Sequence, residues 1–329
     1  MIYSEFCEYL KEYMETRLYS EGEYYISLKT LKKNNDTPCK ALVINKPSGE
    51  GEYSISPCIH LEPFWDIYTK NPSTTTLMQI VDYLYDSYKD AINNMPDVCK
   101  ASNVATIRDY EKIKDSIVPC VVNSKWNQEV LADVPHRHLS DFSVIYRIML
   151  SKDTSIIVNN KIMHEWNVSL EAVDQIALSN MESIMKPYTK NIYDILEEGM
   201  WISRDEIPFD DGPEFYVIGN ELGMFGASIL ADTDYLNSVS EELGGDFIII
   251  PSSVHEILCL KNDDELNLEQ LQDMIETVNT ESVEVRERLS DIPYIFDSKS
   301  CEVMRLSDYR TKKTEEQRYD YYAAIGNQR

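Results

Sequence analysis

No run of eighteen apolar residues occurs in the 329-residue chain, which excludes a helix that crosses a bilayer. The opening Met1-Ile2-Tyr3-Ser4-Glu5-Phe6 also lacks the basic-then-apolar order of a secretory signal. A cytoplasmic protein with no membrane partner is therefore expected. Paired cysteines are missing too. The seven cysteines (Cys7, Cys39, Cys58, Cys99, Cys120, Cys259, Cys301) stand singly and are odd in number, so free, largely buried thiols in a reduced protein are expected rather than disulfides. There is no Gly-rich loop followed by Lys-Ser/Thr to cradle a phosphate, and no Gly-x-Ser-x-Gly elbow. No cofactor is predicted.

Positive charge is scarce. Against 57 Asp and Glu there are 31 Lys and Arg, a formal net charge of -26. The excess is local: residues 201 to 300 hold 5 basic and 23 acidic side chains, whereas residues 101 to 150 hold 6 of each. Such a field repels nucleic-acid phosphates, so direct DNA or RNA binding is disfavoured. It either keeps the protein soluble or meets a basic partner, in the manner of a nucleic-acid mimic.

What is present is a hydrophobic fraction of 43%, ordinary for a folded protein long enough for two domains. Phe6, Tyr9, Leu10 and Tyr13 predict a helix from about Glu5 to Leu18, followed by extended segments at Tyr24 to Leu31, Ala41 to Ile44 and Tyr53 to Leu61. A long helix from Thr75 to Asn93 closes this αβββα unit at about residue 98. Next come a strand at Ile117 to Val122, a hairpin spanning Phe142 to Val158, and helices starting at Asn159 or Asn160 and at Ser169. Asn191 to Glu198 gives a further helix, and the acids around Pro208 read as a loop.

The clearest signals lie between Phe215 and Val278. A strand, a second apolar run from Met224 to Leu230, a helix capped by Asp232 and stopped by Gly244-Gly245, strands at Phe247 to Ile250 and Ile257 to Leu260, and a last helix predict the order ββαββα. Tyr294 to Phe296 and Val303 to Leu306 suggest a small hairpin. The fold class is α+β. Its parts are an αβββα unit over 1–98, a mixed module over 101–306 and a charged, mobile or weakly helical tail over 307–329.

Candidates for chemistry are few. His136-Arg137-His138 offers a His-x-His pair that could supply two metal ligands, although no third is evident. Ser252, His255 and Glu256 contain the residue types of a hydrolase, but short separation in sequence does not bring a serine within reach of an imidazole. The alternative is a turn satisfied by hydroxyls. The 22 tyrosines, clustered at Tyr24-Tyr25 and at Tyr83, Tyr85 and Tyr88, suit either core packing or an interface.

Several segments together resemble an uncharacterised family of anaerobic Gram-positive gut bacteria. They are Lys32-Lys33-Asn34-Asn35, Ile55 to Leu61, Val134 to Arg137 with Leu139 to Arg147, Gly226 to Leu230, and Leu243 to Glu256 with its Pro251-Ser252-Ser253-Val254-His255-Glu256 motif. The likeness spans about residues 1 to 306 and implies a cytoplasmic protein often encoded near mobile elements. It assigns no catalytic residue. The function expected from all this is a non-enzymatic protein-binding module, such as an acidic inhibitor of a host defence or nucleic-acid-binding protein. Glu241, Glu242, Glu269 and Asp273 would face the basic partner. A hydrolase or a structural scaffold is the competing reading.

Overall fold

The computed structural model describes residues 1–45, 58–93, 104–152, 154–200, 214–251, 253–263 and 266–326. It is an α+β protein whose sheets are antiparallel throughout. The chain divides into two compact units, Met1–Ile113 and Lys114–Arg329.

In the first unit, α1 (Tyr3–Leu18) precedes β1 (Tyr25–Lys32), β2 (Pro38–Asn45) and β3 (Cys58–His60), which pair in that order. Helices α2 (Glu62–Lys70) and α3 (Thr74–Asn93) follow, with short α4 (Val104–Ile107) and α5 (Tyr110–Ile113) at the end. Alternation along the strands decides the core. Ile26, Leu28, Leu42, Ile44 and Ile59 turn to one side, where Phe6, Leu10 and Met14 of α1, Phe64 of α2 and Leu77, Ile80, Val81 and Leu84 of α3 cover them. Cys39, Ala41 and His60 have the opposite parity. Helix α2 begins directly after Leu61, where the expected third extended segment ends, and Pro63 sits in its first turn, where the missing amide costs no hydrogen bond.

Among its described residues the second unit forms two sheets. One joins β4 (Ile117–Asn123), β5 (Arg137–Leu139), β6 (Phe142–Met149) and β7 (Ser155–Ile157), with β6 central. Around it lie α6 (Gln128–Asp133), α7 (Asn160–Trp166) and α8 (Leu170–Asn180), whereas α9 (Ile192–Met200) adjoins the first strand of the other sheet. Asn159 and Ser169 cap α7 and α8 by accepting from the Ile162 and Ala172 amides. The other sheet has six strands, β8 (Pro187–Asn191), β9 (Tyr216–Asn220), β10 (Phe247–Ile250), β11 (Ile257–Lys261), β12 (Tyr294–Asp297) and β13 (Glu302–Arg305), ordered β13-β12-β10-β11-β9-β8. Helices α10 (Thr233–Leu243), α11 (Leu268–Ser282) and α12 (Leu306–Gly326) accompany it. On one face Leu271, Ile275, Leu306 and Tyr309 pack on Ile248, Ile250, Leu260 and Ile295. On the other, Leu236 of α10 shares a cavity with Val303, the register partner of Phe296.

Three expectations change. Met224 to Leu230 is not a strand: Phe225 is left-handed and Gly226–Ala231 forms a 3₁₀ turn. The reason is a close approach, since a Cβ on Gly226 would lie 2.2 Å from the His255 carbonyl oxygen. The order after Phe215 is therefore not ββαββα. Pro187–Asn191 is a strand where no element is expected, pairing with β9. The charged tail, expected to be mobile or weakly helical, is helix α12 as far as Gly326, its last described residue. Tyr309 donates to Asp246, Lys312 meets Asp297 at 3.1 Å, and Arg310 donates to the Leu266 carbonyl over 2.9 Å. These polar anchors leave no apolar period to read.

One carboxylate links the two sheets of the second unit. Asp141, beside β6, takes a bidentate pair from Arg305 of β13 at 2.5 and 2.6 Å and the Tyr294 hydroxyl at 2.9 Å. Arg305, against the opposing effect of burial and with help from Tyr294, holds the Asp141 carboxyl below its ordinary value. A depressed carboxyl stabilises the fold above its unfolded pKa, about 3.9, and that contribution fades as pH falls through the folded value. Asp141→Asn is expected to cost about 1–3 kcal/mol at pH 7 and progressively less as pH falls below about 3.9, by urea unfolding. A loss that does not change with pH would contradict this. Gly226→Ala is expected to cost about 1–3 kcal/mol by overpacking, lowering the urea midpoint without changing the slope.

Candidate functional site

The chemically richest cluster lies in the first unit and joins three non-adjacent residues. Register sets it up: β2 and β3 pair with Ala41 opposite His60, which puts the imidazole on the side of the sheet that carries Cys39. Glu62 follows two residues later as the first residue of α2, where the helix N-terminus favours a negative charge. Cys39 Sγ lies 2.9 Å from His60 Nδ1 and donates to Glu62 Oε2 over 3.0 Å.

The carboxylate is held from behind. Its Oε1 accepts the Lys40 amide over 2.6 Å and the Tyr3 hydroxyl over 2.8 Å. Burial alone would raise the Glu62 pKa, but the Cys39 thiol, the Lys40 amide and the Tyr3 hydroxyl outweigh it and keep the carboxyl below its ordinary range. Burial, and then the carboxylate, push the Tyr3 phenol well above its usual value. Burial likewise raises the neighbouring Cys7 thiol. Cys39 is 6% exposed, while His60 and Glu62 are half-buried. Sulfur, nitrogen and carboxylate oxygen all lie within 4.8 Å of one another, the one such group of three or more His, Cys, Asp and Glu among the described residues. Sequence reasoning misses it because Cys39 and His60 are 21 positions apart and only strand register brings them together.

The residues singled out from sequence lie elsewhere. Ser252 falls outside the described residues, as do Cys99 and the acids around Pro208. Ser253 Oγ accepts the His255 amide over 3.0 Å, and His255 Nδ1 accepts the Phe225 amide over 3.3 Å. Both side chains satisfy backbone groups at the break between β10 and β11, and Glu256 is exposed. His136 and His138 face each other edge-on at 5.4 Å, and His136 Nδ1 lies 3.0 Å from the Val134 carbonyl oxygen. Glu241 and Glu242 on α10, and Glu269 and Asp273 on α11, are all exposed. Since α10 and α11 pack on opposite faces of the six-stranded sheet, the four do not form one continuous patch.

A second feature of the first unit is a cleft of about 660 Å³ lined, among the described residues, by Glu15, Tyr19, Gly22, Glu23, Tyr24, Tyr25 and Ile26. Beside it the unit pairs cations with tyrosine and glutamate internally. The Arg17 guanidinium sits 4.6 Å and the Lys89 ammonium 5.6 Å from the centre of the Tyr85 ring, while Tyr85 and Lys89 both donate to Glu21.

Comparison with known proteins adds a family but no assigned residue. The model of a family of unknown function, DUF5688, matches residues 3–298. No curated protein and no solved structure matches the chain.

Proposed function

We propose, for a chain that belongs to the DUF5688 family of unknown function, that the protein binds a basic protein partner rather than transforming a small molecule. The observation that carries this reading is the tyrosine and glutamate cleft. Three phenol rings and two carboxylates meet there, and no Lys or Arg is among its described lining residues. An arginine or lysine side chain entering it would meet phenol rings for its cation and the Glu23 carboxylate for its charge, Glu15 being paired with Lys11 at 3.6 Å. Arg17 and Lys89 already make those contacts with Tyr85 and Glu21 a short distance along the same unit.

The net charge of -26 acts at longer range. Exposed carboxylates on both sides of the second unit speed the approach of a basic partner, and salt weakens that attraction as the screening length shrinks from about 10 Å at 0.1 M to about 3 Å at 1 M. A nucleic-acid-binding protein is a natural partner of this kind, which keeps the inhibitor or nucleic-acid-mimic role as the finer form of the proposal. A second contact surface is offered by α11, where Met274 and Val278, 43% and 45% exposed and one turn apart, stand among Glu269, Asp273 and Glu276.

The test uses the full chain and an arginine-rich peptide, with a glutamate-rich peptide as control, in calorimetric titrations at two salt concentrations. Binding of the arginine-rich peptide alone is expected. Replacing the exposed Tyr19 and Tyr25 by Ala together with Glu23→Gln should weaken it about tenfold, the sum of modest cation–π and charge contributions. Charge reversal at Glu241, Glu242, Glu269 and Asp273 should slow association without changing the cleft's preference. Unchanged affinity in the cleft variant, or equal binding of both peptides, would contradict the reading.

A further inference from the structure

We propose that Cys39, His60 and Glu62 are the protein ligands of a zinc-class metal ion.

The donors come first. A thiolate sulfur selects zinc and other borderline or soft ions over magnesium and calcium, which take oxygen ligands. An imidazole nitrogen fits the same ion, and a carboxylate oxygen completes three protein ligands, the number found where zinc keeps its fourth position for water or another molecule. Charge agrees with this assignment. A thiolate, a carboxylate and a neutral imidazole carry -2 together, which a divalent cation neutralises. Without the ion, the same three groups crowd at 2.9 and 3.0 Å around the sulfur. Zinc bonds of about 2.3 Å to sulfur and about 2.0–2.2 Å to nitrogen and oxygen would set tetrahedral donor separations of about 3.3–3.6 Å. The donors therefore have to part by roughly half an ångström as the thiol proton leaves.

Support comes next. A metal-binding carboxylate is normally oriented by hydrogen bonds to its other oxygen. Glu62 has such bonds: Oε1 is fixed by the Lys40 amide and the Tyr3 hydroxyl, and Oε2 is the oxygen turned toward Cys39. The two strands that carry Cys39 and His60 are hydrogen-bonded to each other, and Lys40 lies next to Cys39, so the ligands and their support share one rigid frame. Access is available because His60 and Glu62 are both half-buried.

The full chain, purified under reducing conditions, is loaded with Zn²⁺, freed of excess ion and assayed by mass spectrometry of the metal. Zinc itself is spectroscopically silent, so Co²⁺ is substituted to report on the ligands. The expected result is about one zinc per chain, and a cobalt form with a sulfur-to-metal charge-transfer band and tetrahedral ligand-field bands. Cys39→Ser should abolish the charge-transfer band. His60→Gln, at a half-exposed position, should weaken zinc binding more than about 100-fold while the metal-free protein keeps its circular dichroism. Tyr3→Phe should weaken binding by about tenfold or more with one ion still bound, as loss of an orienting hydrogen bond predicts. His136→Ala with His138→Ala should retain the ion. No stoichiometric zinc in the parent protein, zinc that survives both Cys39→Ser and His60→Gln, or zinc lost only from the His136 and His138 variant would overturn the proposal.

Discussion

The carboxylate of Glu62 is the constraint on which the first unit depends. A half-buried carboxylate is costly to leave unpaired, and this one is satisfied by a phenol from the first helix, an amide from the second strand and a thiol next to that amide. All of these segments must be in place together for the carboxylate to be satisfied. The start of α1, the N-terminal half of β2 and the first turn of α2 are therefore positioned by one group, and His60 reaches the same sulfur from β3. The apolar core on the other side of the sheet supplies most of the free energy of folding. Glu62 supplies direction rather than bulk stability.

The second unit repeats this use of acids. Asp141 joins Arg305 and Tyr294 across two sheets, Asp246 takes the Ser298 amide and hydroxyl and the Tyr309 hydroxyl, and Asp297, 2% exposed, faces Lys312 and the Lys299 amide. The protein thus carries two populations of carboxylates. The buried and half-buried ones are matched to donors within the chain and fix its architecture. The exposed ones, such as Glu241, Glu242, Glu269 and Asp273, create the outward field that a basic partner would feel. Net charge alone does not separate these populations, but burial and hydrogen bonding do.

Local chemistry was legible in the sequence wherever it is short-ranged. Asp232 caps α10 and Gly244 ends it in a left-handed conformation, as their spacing implies, and Ser169 begins α8. The α+β class followed from the same signals. What was not legible depends on distant partners. The 3₁₀ turn after Phe225 exists because Gly226 lies against the His255 carbonyl, about thirty residues on, and α12 is a helix because Asp246, Asp297 and the Leu266 carbonyl hold its first turns. The Cys39, His60 and Glu62 cluster belongs with these. None of the three residues stands out alone, and strand register creates the site.

The most direct measurement of the central claim, that this register assembles a metal site, is anomalous diffraction at the zinc edge from crystals of the zinc-loaded protein. One strong peak is expected, bonded to Cys39 Sγ, His60 Nδ1 and Glu62 Oε2, with Tyr3 and the Lys40 amide still on Oε1. A peak at His136 and His138 instead, or none within bonding distance of Cys39, would contradict it.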